Sequence, residues 1–258
     1  MSNFDRNAPV WGAGRAQQTS AVEMDQGLRS FMLGVYNNMS IGLAITGLAA
    51  IGISMLAIAG VSPTGKVTAL TPLGQALYLS PLKWVVMLAP LAFILFFSFK
   101  AESMSSSAAR TMFFAFAAVM GVSLSSIFVV YTGESITKVF FITAATFGAL
   151  SLYGYTTQRS LSAMGSFLIM GLIGLIIASV VNIFLASSAL SFAISAIGVL
   201  VFAGLTAWDT QRLKEMYLYS DLDPESAAKL SVNGALSLYL NFINMFQMLL
   251  SLFGSKQE

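Results

Sequence analysis

Seven long stretches of almost unbroken apolar residues alternate along this chain with short segments that hold nearly all of its charge. They fall at about 31–60, 84–99, 111–131, 136–155, 161–186, 189–208 and 230–253. A hydrocarbon core about 30 Å thick takes ~20 apolar residues per helix, because lipid offers no partners to backbone N–H and C=O groups. The pattern therefore predicts an all-α integral membrane protein of seven transmembrane helices. Residues 1–30, rich in Asn, Gln, Ala and Gly, read as a mobile cytoplasmic tail without a cleavable signal of the usual layout. Residues 31–254 form the membrane domain, and 255–258 a short C-terminal tail. The connection 61–83, with Pro63, Gly65, Pro72, Gly74 and Pro81, reads as an irregular turn. The segment 216–229 reads as an acidic loop, with Asp221, Asp223 and Glu225 and with Pro224 interrupting any continuous helix.

Composition sharpens this picture. Hydrophobic residues make up 57% and charged residues 9% of the chain, whereas soluble domains carry roughly a quarter charged residues. The distribution of Lys and Arg orients the bundle. With the N-terminus in the cytoplasm, Arg6, Arg15, Arg29, Lys100, Arg110, Arg159, Arg212, Lys214 and Lys229 lie inside. Only Lys66, Lys83, Lys138 and Lys256 lie outside. Loop cations thus account for the pI near 8.9, and no nucleic-acid partner is needed to explain it. The chain has no His and no Cys, which excludes a Ser/His dyad, an H-E-x-x-H zinc site, a Cys nucleophile and haem or iron–sulfur ligation by those side chains. The last span lacks the Lys that a retinal Schiff base requires. Hydroxyls occur at Tyr153, Tyr155 and Ser123, but no base is evident beside them, so we expect no enzyme.

Two segments can carry chemistry. The first, LTAWDTQRLKEMY at 205–217, runs an apolar helix into Asp209. An Asp at mid-membrane costs ~2.5–3.5 kcal/mol on the insertion scale, so this carboxylate must face protein, water or the interface. Arg212 lies on the same helix face and can simply hold it at the surface. The second segment is the last span, where Ser237, Asn241 and Asn244 step by four and three residues along one face, extended by Gln247 and Ser251. Amides facing lipid would be unsatisfied, so this stripe is expected to turn inward. It serves there either as an interhelical hydrogen-bond seam or as the lining of a pathway.

At these segments the chain resembles the Bax inhibitor (transmembrane Bax inhibitor motif) family. The likeness rests on the aromatic-Asp-Thr-Gln run at 208–211, on SLYLNFIN at 237–244 and on SLYGYTT at 151–157, and it extends over about residues 30–254. It implies a central last helix surrounded by the other six and, in bacterial members, a pH-sensitive calcium leak. It also implies a hydrogen-bonded pair of Asp residues that senses protons, linked to a basic residue near the inner end of the second span. Asp209 matches the first Asp, and Lys100 is the nearest basic candidate, with a snorkelling interfacial anchor as its structural alternative. The second Asp position matches Asn241, a departure from the family pattern.

Two facing carboxylates share a proton because like charges disfavour double ionisation. An amide carries no charge, and one carboxylate fewer weakens a calcium site, leaving Asp209 and Asn241 as transient ligands at most. The resemblance thus implies a bacterial inner-membrane protein that meets lipid, protons and calcium or another cation. Its core is polar at Asp209 and Asn241, and it needs no bound cofactor. The alternatives are a proton-coupled secondary transporter and a non-conducting scaffold that binds other membrane proteins.

Overall fold

A computed structural model describes residues 11–62, 66–100 and 103–257, with side chains from residue 26 onward. Among these, seven helices are long and apolar enough to cross a membrane, one for each apolar block. The chain runs α1 (Trp11–Ala57), β1 (Ile58–Val61), β2 (Val67–Leu70), α2 (Pro72–Tyr78), α3 (Leu82–Lys100), α4 (Ser106–Leu124) and α5 (Ile127–Val130). It continues through α6 (Gly133–Thr156), α7 (Ser162–Leu185), α8 (Ser188–Tyr219) and α9 (Pro224–Phe253). Polar side chains begin the spans: Ser105, Thr132, Ser187 and Asp223 each accept a backbone N–H at the first turn of α4, α6, α8 and α9. Such bonds satisfy amides that a helix cannot pair internally.

The connections are more ordered than the sequence suggests. Helix α1 extends back to Trp11, so the expected tail over 1–30 is helical over most of its length, while residues 1–10 lie outside the described residues. Within the connection expected to be irregular, β1 and β2 pair antiparallel. Thr71 and Pro72 then start α2, where proline is pre-shaped for the first helical turn. The acidic loop shrinks to residues 220–223, because Pro224 opens α9 rather than interrupting it. Asp223 caps that helix, and Glu225 accepts from the backbone and side chain of Ser106 at the start of α4, at 2.6 and 2.8 Å. Near the C-terminus, Lys256 bridges antiparallel to Tyr131.

Helix α9 is the most enclosed span. In its most apolar window 56% of residues are buried inside the protein, against 11% for α3 and for α7. Its main neighbours are α8, α1, α6 and α4, whereas α3 packs on α4 and α7 on α8. Helix α9 thus packs chiefly against four of the other spans. Tyr239 anchors it, fully buried with its ring edge-on to Phe113 and Phe116 of α4. Its hydroxyl meets Thr46 Oγ1 of α1 at 2.6 Å. Close backbone approach fixes two further seams. A Cβ on Gly121 would collide with the Thr46 carbonyl of α1, and one on Gly154 with the Ala207 carbonyl of α8. Small residues are the usual means of close helix packing in lipid, where apolar side chains gain little by leaving the hydrocarbon.

Candidate functional site

Four consecutive residues of α8 each tie that helix to a different neighbour. Trp208 packs its indole against α7, where Gly165 leaves no room for any side chain. Asp209, about 15 Å along α8 from its end at Tyr219, accepts a hydrogen bond at Oδ2 from Asn241 Nδ2 of α9 at 2.7 Å. Thr210 is fully buried and meets Ser151 Oγ of α6 at 3.0 Å. Gln211 pins the α6–α7 connection, accepting from Leu161 N at 2.7 Å and donating to the Arg159 carbonyl at 2.9 Å. Successive residues of a helix point about 100° apart, so such a run can address the whole circle of surrounding helices. That is the physical sense of the motif.

The polar centre extends beyond the pair. Ser151 also meets the Tyr36 hydroxyl of α1 at 2.6 Å, so a chain of hydroxyls runs from α1 through α6 to the residue beside Asp209. Among the described residues no buried polar side-chain atom lacks a partner. Satisfying each donor and acceptor in this way is what permits polar groups inside an apolar bundle.

The remaining predicted site residues fare differently. Arg212 is exposed, its guanidinium lies over the Trp208 ring, 5.3 Å from the centroid, and its charge still acts on Asp209. Lys100 is exposed at the end of α3, a helix that packs chiefly on α4. The expected inward stripe holds in part: Ser251 accepts from Ser195 Oγ of α8 at 3.0 Å. Asn241 is buried, but Ser237 and Gln247 are exposed, and half-buried Asn244 donates back to the Leu240 carbonyl of its own helix at 2.8 Å. The interior of α9 is instead taken by Leu238, Phe242, Met245 and Leu249. Sequence reasoning missed Tyr36, Thr46, Thr210 and Tyr239. Their one signal was a lone hydroxyl in an apolar span, which must find a partner.

A seven-span helical bundle with a hydrogen-bonded polar pair between two of its helices is an integral membrane protein. The family model described as "Inhibitor of apoptosis-promoting Bax1" matches residues 28–258, and the chain belongs to this Bax inhibitor family. It is similar to an uncharacterized protein of Caulobacter vibrioides, 44% identical over 273 residues and covering 100% of both chains. It is also similar to the inner membrane protein YbhL of Escherichia coli K12, at 41% identity over 92% of this chain and 97% of the relative. An uncharacterized protein of Rickettsia prowazekii is 44% identical over 91% of this chain and 93% of its own.

Proposed function

We propose that this protein is a pH-sensitive cation leak of the bacterial inner membrane, with calcium as its cargo and its N-terminus in the cytoplasm. The observation that carries this reading is the 2.7 Å contact between Asn241 and Asp209 inside the bundle. It places one ionisable group among helices, where charge is costly and an ionisable residue marks an ion or proton route. A proton and a cation would each neutralise the same carboxylate, so they compete, and passage depends on pH. Calcium takes 6–8 oxygen ligands. One carboxylate and one amide oxygen supply far fewer, and no group of three or more His, Cys, Asp or Glu converges among the described residues. The pair therefore suits brief passage of an ion that keeps much of its water.

Calcium flux into proteoliposomes across pH tests this, comparing the wild type with Asp209→Asn and Asn241→Asp. Asp209→Asn should flatten the pH dependence. Asn241→Asp should steepen it, because two facing carboxylates titrate as a coupled pair. Identical flux in all three proteins refutes the role of Asp209.

One observation favours a second reading, a non-conducting scaffold: the exposed polar edge of α9 at Ser237 and Gln247. A side-chain amide facing lipid is poorly satisfied, and another integral protein could pair with it. Site-specific crosslinking from position 247 in membranes, run beside the flux assay, separates the two.

A further inference from the structure

Between α1 and α6 lies an open groove of about 460 Å³, within the ~300–1,000 Å³ typical of small-molecule sites. Its walls come from membrane-crossing segments, so it faces hydrocarbon for most of its length. Met32, Leu33, Phe147 and Leu152 make those walls apolar, and Arg29 and Tyr155 stand at the end where α1 enters and α6 leaves the membrane. A second cation is close by. Lys214 Nζ donates to the Tyr155 carbonyl at 2.9 Å and lies 5.5 Å from that ring's centroid. The polar groups deeper in the wall, Tyr36 and Ser151, are already bonded to each other, so the deeper part offers an occupant mainly apolar contact. Gly148 leaves the floor open, since a Cβ there would meet nothing within 4 Å.

This is a split environment, with cations at one end and a hydrocarbon-like trough behind them. A water-soluble anion would use only the first part, and a neutral hydrocarbon only the second. We infer that the groove binds an anionic phospholipid of the bilayer, its phosphate on Arg29 with Lys214 alongside, and one acyl chain lying along Leu33, Phe147, Gly148 and Leu152. Arginine is suited to the phosphate because its planar fork offers parallel N–H donors. Basic pockets between membrane helices are recognised sites for acidic headgroups. The same distribution of cations that orients the chain places this rim at the cytoplasmic leaflet. The inference holds whether or not the protein conducts ions. It also gives Arg29 a part that topology alone does not.

The test uses the full chain purified in a neutral detergent, with thermal unfolding and native mass spectrometry as readouts. The additions are dioleoyl-phosphatidylglycerol, dioleoyl-phosphatidylcholine or inorganic phosphate. Phosphatidylglycerol should raise the melting temperature and remain as one retained lipid, because a ligand that binds only the folded state stabilises it. The other two should do neither. Arg29→Gln should weaken the apparent affinity at least about tenfold. Gly148→Leu should do the same by filling the trough, with its side chain entering open space rather than backbone. Lys138→Gln, an exposed cation at the opposite end of the bundle, should leave the response intact. Equal shifts with phosphatidylcholine would overturn the inference, as would a response to inorganic phosphate alone. An undiminished response in Arg29→Gln and Gly148→Leu would place the lipid elsewhere and overturn it as well.

Discussion

Asn241 on α9 donates its amide to Asp209 on α8 across 2.7 Å. The bond joins the two helices that pack most extensively on each other. Replacing Asn241 with Leu leaves the carboxylate without its partner, which costs about 1–3 kcal/mol for a buried group stripped of its hydrogen bond. Asp209→Asn keeps a donor facing an acceptor. It should stay within about 0.6 kcal/mol of the wild type, the average worth of an interhelical hydrogen bond in a membrane. Unfolding in mixed micelles reads both, and the reverse order would mean that this contact does not hold α8 to α9.

The seam between α6 and α8 depends on the absence of a side chain at Gly154. A Cβ there would meet the carbonyl and Cα of Ala207, which are backbone and cannot rotate aside. Gly154→Ala should therefore destabilise the bundle by ~1–3 kcal/mol or more, the cost of overpacking. Gly174 on α7 is the matched control, because a Cβ at that position meets nothing within 4 Å. Gly174→Ala should be neutral or gain up to about 1 kcal/mol from helix propensity. Equal behaviour of the two variants in a thermal-unfolding series would show that α6 and α8 do not approach so closely.

How much of this was legible beforehand depends on what each feature answers to. The seven spans were legible because lipid imposes one requirement on every span, a long run without charge, and that requirement is written locally. Asp209 stood out for the same reason. Its neighbours Thr210 and Gln211 did not, since their roles depend on Ser151, Arg159 and Leu161, more than forty residues away in the chain. The polar stripe of α9 was legible only in part. Periodicity correctly put Ser237, Asn241 and Asn244 near one another around the helix, yet it cannot say which way that side faces. In water a polar stripe points outward by default, and in lipid it was expected to point inward. Here Asn241 is buried against α8 and Ser251 accepts from Ser195 of α8, while Ser237 and Gln247 stay exposed because Leu238, Phe242 and Met245 fill the interior. The setting of Lys100 is likewise not written locally, because it depends on α3 docking chiefly on α4.

Asp223 gives the protein an acid-sensitive joint outside the membrane. Its carboxylate accepts from Glu225 N at 2.9 Å, Ser226 N at 3.1 Å and Ser226 Oγ at 2.6 Å. The Ser226 hydroxyl, followed by the backbone amide of Ser226, holds its pKa below the ordinary Asp value. A group whose pKa is depressed on folding contributes stability above its unfolded pKa, about 3.9 for Asp, and that contribution disappears as pH falls through the folded value. The melting temperature should therefore decline on acidification below about pH 4. In Asp223→Asn, which can still cap α9 without a charge, the part of the decline due to this group should vanish. Superimposable melting curves for the two proteins at every pH would show that the cap contributes nothing.

Gln257 ties the end of α9 to two other parts of the chain. Its backbone N–H donates to the Val130 carbonyl at 2.9 Å, and its side-chain amide donates to the Phe128 and Tyr131 carbonyls at 3.1 and 2.9 Å. Its side-chain oxygen accepts from Val67 N of β2 at 2.8 Å. Ser255 adds bonds to Thr132 N at 3.1 Å and from its own N–H to Ser135 Oγ at 2.9 Å. The strap therefore secures the hairpin and the α5–α6 corner by separate bonds, and these can be released one at a time. Gln257→Ala removes the side-chain bonds alone, so the Val67 amide should exchange with solvent about tenfold faster while the Thr132 amide keeps its protection, each bond being worth ~1 kcal/mol net. Deleting residues 255–258 should release both amides. If Val67 stays protected in both variants, the hairpin is held by its own pairing and by Ala57, whose carbonyl accepts from Thr71 N at 2.9 Å, and not by the strap.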